Sequence, residues 1–172
     1  MLNALRKSKA RKEAVEALHA AIVARARLPV FYAELEVPDT IDGRFDLLAL
    51  HAWMVLARIR ETGPHDLSQA LVDRIFLGLD GGLRDLGVGD MGMLTRMKKL
   101  GDAFFGRLKT YDESAGEEAM REAVVRNLYR GKIDQGTGNP HAERLARYAL
   151  AARAHLSDVD IAAGPVDFGP LP

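Results

Sequence analysis

The sequence predicts an all-α, single-domain bundle of about six helices. Apolar residues recur at helical spacing from one end to the other, and no segment alternates apolar and polar residues for the length of a strand. Alanine, leucine and arginine abound, whereas β-branched residues are sparse and scattered. At 172 residues, 48% hydrophobic and 28% charged, the chain has the size and composition of one folded domain with its own core.

The first helix is read from about Asn3 to Arg27, closed by Pro29, with Phe31 to Val37 as a short helical turn. Thr40 is the N-cap of a second long helix reaching about Glu61 and ended by Thr62-Gly63-Pro64. A third begins near Asp66, where Val72, Phe76, Leu79, Leu83 and Leu86 make a coiled-coil-like seam. It must tolerate Gly81-Gly82, at roughly 1 kcal/mol per glycine. Gly87 to Gly92 reads as a loop. The fourth long helix runs from about Met93 to Tyr111, with Met97, Leu100, Phe104 and Leu108 on the same stripe. A fifth covers about Glu117 to Arg130 and stops at Gly131, before a turn-rich connector from Asp134 to Gly138. Asn139-Pro140 then supplies cap and first-turn proline for a sixth helix to about His155. Residues 1–30 thus form a basic N-terminal helix, 31–156 a helical core and 157–172 an extended tail containing proline and glycine.

Several function classes drop out. With no cysteine, there is no disulfide scaffold, thiolate metal site or cysteine nucleophile. The longest nearly unbroken apolar stretch, Leu47 to Ala57, is too short for a bilayer, which needs about 20 residues. The basic N-terminus lacks the apolar core of a secretory signal, so the expected location is the cytoplasm, with a peripheral place on the inner membrane as the variant. Gly87-Val88-Gly89-Asp90-Met91-Gly92 matches the dinucleotide fingerprint by letter, but a helix precedes it and no strand is near. No nucleophile elbow surrounds any serine, and no phosphate-loop lysine occurs. Glu16 and His19 form one E-x-x-H pair where a di-iron bundle needs two, and His51 interrupts the most apolar helix as a buried core histidine would. No cofactor, metal or catalytic residue is expected.

Charge sums to zero but is segregated. Residues 1–27 carry a net +5, 31–92 a net −6 and 93–112 a net +3. Two basic regions follow. Arg6, Lys7, Lys9, Arg11 and Lys12 could meet a ribosome or an anionic membrane surface, and an RNA-associated adaptor using them is the alternative reading of function. Arg96, Lys98, Lys99, Arg107 and Lys109 surround the methionine and phenylalanine stripe of the fourth long helix, a pattern that fits either a bundle helix or a face for a partner.

Specific blocks sharpen this reading. Val37-Pro38-Asp39-Thr40-Ile41-Asp42-Gly43-Arg44-Phe45-Asp46-Leu47-Leu48-Ala49-Leu50-His51-Ala52-Trp53 resembles the ubiquinol-cytochrome c chaperone family. So do Gln69 to Phe76, Leu86 to Met91 and Arg96 to Tyr111, so the resemblance lies across residues 31 to about 130. Gly81-Gly82 departs from it, standing where larger residues are expected. The resemblance implies a non-enzymatic, all-α assembly chaperone that binds newly made cytochrome b and promotes assembly of the cytochrome bc1 complex. It also implies action with a small partner protein, alone, or as a homo-oligomer, and with a net charge of zero no specific nucleic acid is expected. Motif position and chemistry together nominate Arg44, Asp90, Arg96, Lys98, Lys99, Phe105 and Arg107 for partner binding. Asp39, Asp42 and Asp46 lie at a helix N-terminus, where carboxylates are favoured, so this motif also has a capping role, and Trp53 is expected in the core.

Overall fold

The computed structural model describes residues 2–87, 89–131, 139–161 and 166–172, and side chains from residue 6 onward except those of His65 and Asp90. Seven α-helices lie among the described residues: α1 (Leu2–Ala26), α2 (Pro29–Ala33), α3 (Ile41–Thr62), α4 (His65–Asp85), α5 (Asp90–Glu113), α6 (Glu117–Leu128) and α7 (Pro140–His155). A 3-10 turn, Leu156–Asp158, follows α7, and there is no strand among the described residues. The fold is therefore all-α, six long helices and the short α2.

Helix α3 is the centre. It touches α1, α4, α5, α6 and α7, and Phe45, Leu47, Leu50, Met54, Val55 and Ile59 are buried along it. Its start is set locally: the Thr40 hydroxyl accepts from the Gly43 N–H at 3.1 Å, and Asp42 sits in the first turn. Gly43 is required there, because a Cβ would lie 1.9 Å from the Pro38 carbonyl oxygen. The Asn139 side chain likewise accepts from the N–H groups of His141 and Ala142 to open α7.

Three boundaries or faces differ from the sequence expectation. Helix α5 begins at Asp90 because Gly89 takes the extended cap conformation and Gly92 is absorbed into the first turn. Helix α6 ends at Leu128, since Arg130 and Gly131 take positive φ. On α4 the deeply buried stripe is Leu67, Leu71 and Ile75, facing α1 and α3. The expected seam of Val72, Phe76, Leu79 and Leu83 is half-buried, and Leu86 is exposed. The connector 134–138 and residues 162–165 of the tail lie outside the described residues, and the tail opens on the 3-10 turn instead of on extended chain. The described end of the tail, 166–172, is packed down: Phe168 is buried, and Arg25 donates to the carbonyls of Gly169 (2.8 Å) and Pro170 (2.7 Å).

His51 lies in the core. Its Nδ1–H donates to the Leu47 carbonyl at 2.8 Å, and its Nε2 accepts from the Tyr148 hydroxyl at 2.8 Å. Arg25 in turn donates to that hydroxyl at 2.9 Å. The rings of Phe31, Tyr148 and Phe168 surround the imidazole. With both nitrogens engaged by the protein, His51 has no lone pair to offer a haem or metal.

Candidate functional site

The inward stripe of α4 runs Leu67, Leu71, Ile75, Gly78, Gly82, at intervals of four, four, three and four residues. Its first three members fill the space against α1 and α3. The last two have no side chain, and beyond Ile75 the helices leave a groove of about 460 Å³. A Cβ on Gly82 would meet nothing within 4 Å. Val23 and Ala26 of α1, Ile41, Phe45 and Leu48 of α3, Leu79, Leu83 and Leu86 of α4, and Leu100 of α5 form its apolar walls. At its edge stand His19, Arg27 and Arg44. Gly82, one of the two glycines that depart from the family pattern, is thus part of what opens the groove.

Electrostatics differ between edge and wall. Arg44 donates to Asp39 at 2.6 Å, and that bond holds the exposed Asp39 carboxyl below the usual range. Burial lowers the His19 pKa, with the nearby Arg74 acting the same way, so His19 is neutral at the groove edge at pH 7. Behind the wall, the fully buried Asp46 carboxylate lies 2.6 Å from Arg107 and 3.1 Å from Arg130. Burial pushes the Asp46 carboxyl up, and the two guanidiniums pull it back down. Arg107 also stands over the Phe45 ring at 5.1 Å and donates to the Ala103 carbonyl. This cluster braces Phe45, a groove wall.

The nominated residues separate into groups. Arg44 lines the groove. Phe105, half exposed, stacks on Phe76 and lines a second depression of about 720 Å³ between α3, α4 and the C-terminal half of α5. Arg107, also nominated, turns inward to Asp46. Arg96, Lys98 and Lys99 are exposed on α5 and line neither cavity. Asp90 opens α5, and its side chain lies outside the described residues. The basic cluster Arg6, Lys7, Lys9, Arg11 and Lys12 is exposed on the first turns of α1. There Arg11 pairs with Asp66 at 2.6 Å and Lys9 with Glu13 at 3.8 Å. The sequence reading missed Val23, Ile41 and Leu48 as groove walls, and Asp46 with Arg130 as the buried ion cluster. Continuing the Leu67–Leu71–Ile75 spacing into Gly78 and Gly82 would have located the groove.

Among the described residues no group of side chains is placed to hold a metal, and no helix is long and apolar enough to cross a membrane. Among the described residues the arrangement is an apolar groove with basic residues at its edge. Residues 33–163 match the Ubiquinol-cytochrome C chaperone family, and the chain belongs to it. By its name that family is one of chaperones. The chain is 28% identical over 150 residues to Protein CBP3, mitochondrial, of Saccharomyces cerevisiae, covering 81% of this chain and 44% of the yeast protein. To the ubiquinol-cytochrome-c reductase complex assembly factor 1 of Xenopus laevis it is 22% identical over 121 residues, covering 68% of this chain and 60% of the frog protein. The chain thus spans less than two thirds of either relative. The crystal structure of the Cbp3 homolog from Brucella abortus matches 98% of both chains at 34% identity, with a TM-score of 0.80.

Proposed function

We propose that this chain is an assembly chaperone of ubiquinol-cytochrome c reductase and that its client is newly made cytochrome b. Family membership supports the class, and the name of the frog relative supports the complex. The observation that carries the reading is the groove. A bundle that leaves the inner face of α4 uncovered beyond Ile75 keeps an apolar surface on which an apolar client segment can lie. Arg27 and Arg44 at the edge favour acidic residues flanking that segment.

The test is capture of cytochrome b from cells by the affinity-tagged chain and by its Gly82→Leu variant. Leucine at this position gains helix propensity and projects into open space, so stability should hold or rise by up to about 1 kcal/mol. Capture should fall by about tenfold, the equivalent of ~1.4 kcal/mol of lost contact. Undiminished capture by a folded Gly82→Leu protein would remove the groove from the client site.

A further inference from the structure

The turn between α4 and α5 carries apolar surface that the bundle does not cover. Met91 is 99% exposed, Leu94 82% and Leu86 59%. Met91 and Leu94 sit at a convex end and line neither cavity, and a Cβ on Gly87 or Gly89, between Leu86 and Met91 in sequence, would meet nothing within 4 Å. Further along α5, Arg96, Lys98 and Lys99 are exposed and carry no ion pair among the described residues. At helical pitch these three positions are spread around the solvent side of α5, about 8–12 Å along the axis from Met91. Side chains on a helix slant toward its N-terminus, which for α5 is the turn itself, so the three cations lean toward the apolar end. Three acidic groups oppose them, Asp85, Asp90 and Asp102, while Asp80 is paired with Arg84 at 2.8 Å. Residues 80–102 carry four basic and four acidic groups, so the attraction for anions is local to the three cations that carry no ion pair among the described residues.

We propose that this turn docks the protein on an anionic lipid surface. Leu86, Met91 and Leu94 enter the boundary between headgroups and acyl chains, and Arg96, Lys98 and Lys99 meet the lipid phosphates. A convex apolar end has no walls to grip a protein side chain, but it suits a fluid boundary that an amphipathic element enters by about 5–10 Å. The collar of unpaired cations supplies the complementarity that makes the surface an anionic one. Leu86 belongs both to this end and to the wall of the groove, so the two apolar surfaces are continuous. The lipid contact stands on its own observations and does not depend on the identity of the client.

The experiment is flotation of the full chain with vesicles of phosphatidylcholine alone and of phosphatidylcholine mixed with phosphatidylglycerol. Wild type should float only with the anionic vesicles. Two double variants, Met91→Ser with Leu94→Ser and Lys98→Glu with Lys99→Glu, should each lower partitioning by roughly tenfold or more. Lys7→Glu with Lys12→Glu, on α1, should leave it nearly unchanged. All of these side chains are exposed, and far-UV circular dichroism of each variant checks its fold. A direct reading comes from Met91→Trp, because the natural tryptophan, Trp53, is buried and serves as a constant background. Its emission should shift to the blue with anionic vesicles. Absence of wild-type flotation, loss confined to the α1 variant, or an unshifted Met91→Trp spectrum would each overturn the proposal. Flotation unaffected by Gly82→Leu would separate this contact from the client groove.

Discussion

Acidification from about pH 7 to about pH 4 should remove roughly 3 kcal/mol of stability through His51. Its imidazole is fully buried, and burial lowers its pKa from 6.5 to about 4. The bond to the Leu47 carbonyl works against that shift, and the Arg25 guanidinium adds to it. In the folded chain His51 is neutral through this interval, while in the unfolded chain it takes up a proton below about 6.5. The unfolded state therefore holds the extra proton, and stability falls as pH falls, at about 1.4 kcal/mol per pH unit across the window. Above pH 6.5 the effect is absent, and below about 4 it is complete. His19, also lowered, acts in the same direction. Asp39, Glu118 and Asp167, held below their usual values, lose their contribution only as pH falls below about 4.5. Asp46, raised by burial, has the opposite sign.

The assay is urea unfolding followed by far-UV circular dichroism at a series of pH values, for wild type and His51→Phe. A phenylalanine ring keeps the contacts with Phe31, Tyr148 and Phe168 and cannot titrate. At pH 7 the variant should be less stable by about 1–3 kcal/mol, because the Tyr148 hydroxyl loses its acceptor. Comparing the two proteins cancels His19 and the carboxylates, so the gap should close by about 3 kcal/mol towards pH 4. Parallel stability curves, or a native His51 resonance titrating near 6.5, would refute this reasoning.

Two further expectations concern the frame of the site. Gly43→Ala should cost more than about 3 kcal/mol, because the new methyl group meets the Pro38 oxygen and the start of α3 must shift; the urea midpoint measures it. Arg107→Ala should cost about 3–5 kcal/mol by leaving Asp46 buried beside Arg130 alone, lowering Tm by roughly 10 °C in thermal unfolding. Weakened client capture at unchanged Tm would show instead that Arg107 contacts the partner directly.

The elements with local chemistry at their ends were legible in the sequence. Thr40 ahead of Asp42 marks the start of α3, and Asn139-Pro140 marks that of α7; both caps form through bonds within three residues. The start of α5 was not legible, because three glycines in six residues read as a loop, whereas only Gly87 takes positive φ and Gly92 is absorbed into the first turn. Site residues followed the same division. Arg44 sits beside its partner Asp39 in sequence, and its place at a helix start was readable. Arg107 lies on the flank of an amphipathic helix, where a cation ordinarily points to water. Its inward turn depends on Asp46 and Phe45, carried by a different helix and invisible to periodicity.

Helix α4 shows why a hydrophobic pattern finds faces but does not rank them. It carries two adjacent apolar stripes, and the one with larger, more regular residues, from Val72 to Leu86, looks like the seam. The core instead takes Leu67, Leu71 and Ile75, since that stripe faces both α1 and α3 whereas the other meets α5. The inner stripe then ends in Gly78 and Gly82, residues that each weaken a helix interior by about 1 kcal/mol relative to alanine. At Gly78 a Cβ would stand 3.3 Å from the His19 ring, so space is tight there. At Gly82 no neighbour demands a glycine, and packing does not explain it. Any side chain at that point would occupy the groove between Leu83, Ile41 and Val23. The helix therefore forgoes stability where its inner face is open, which is the behaviour expected of a surface kept free for an apolar occupant.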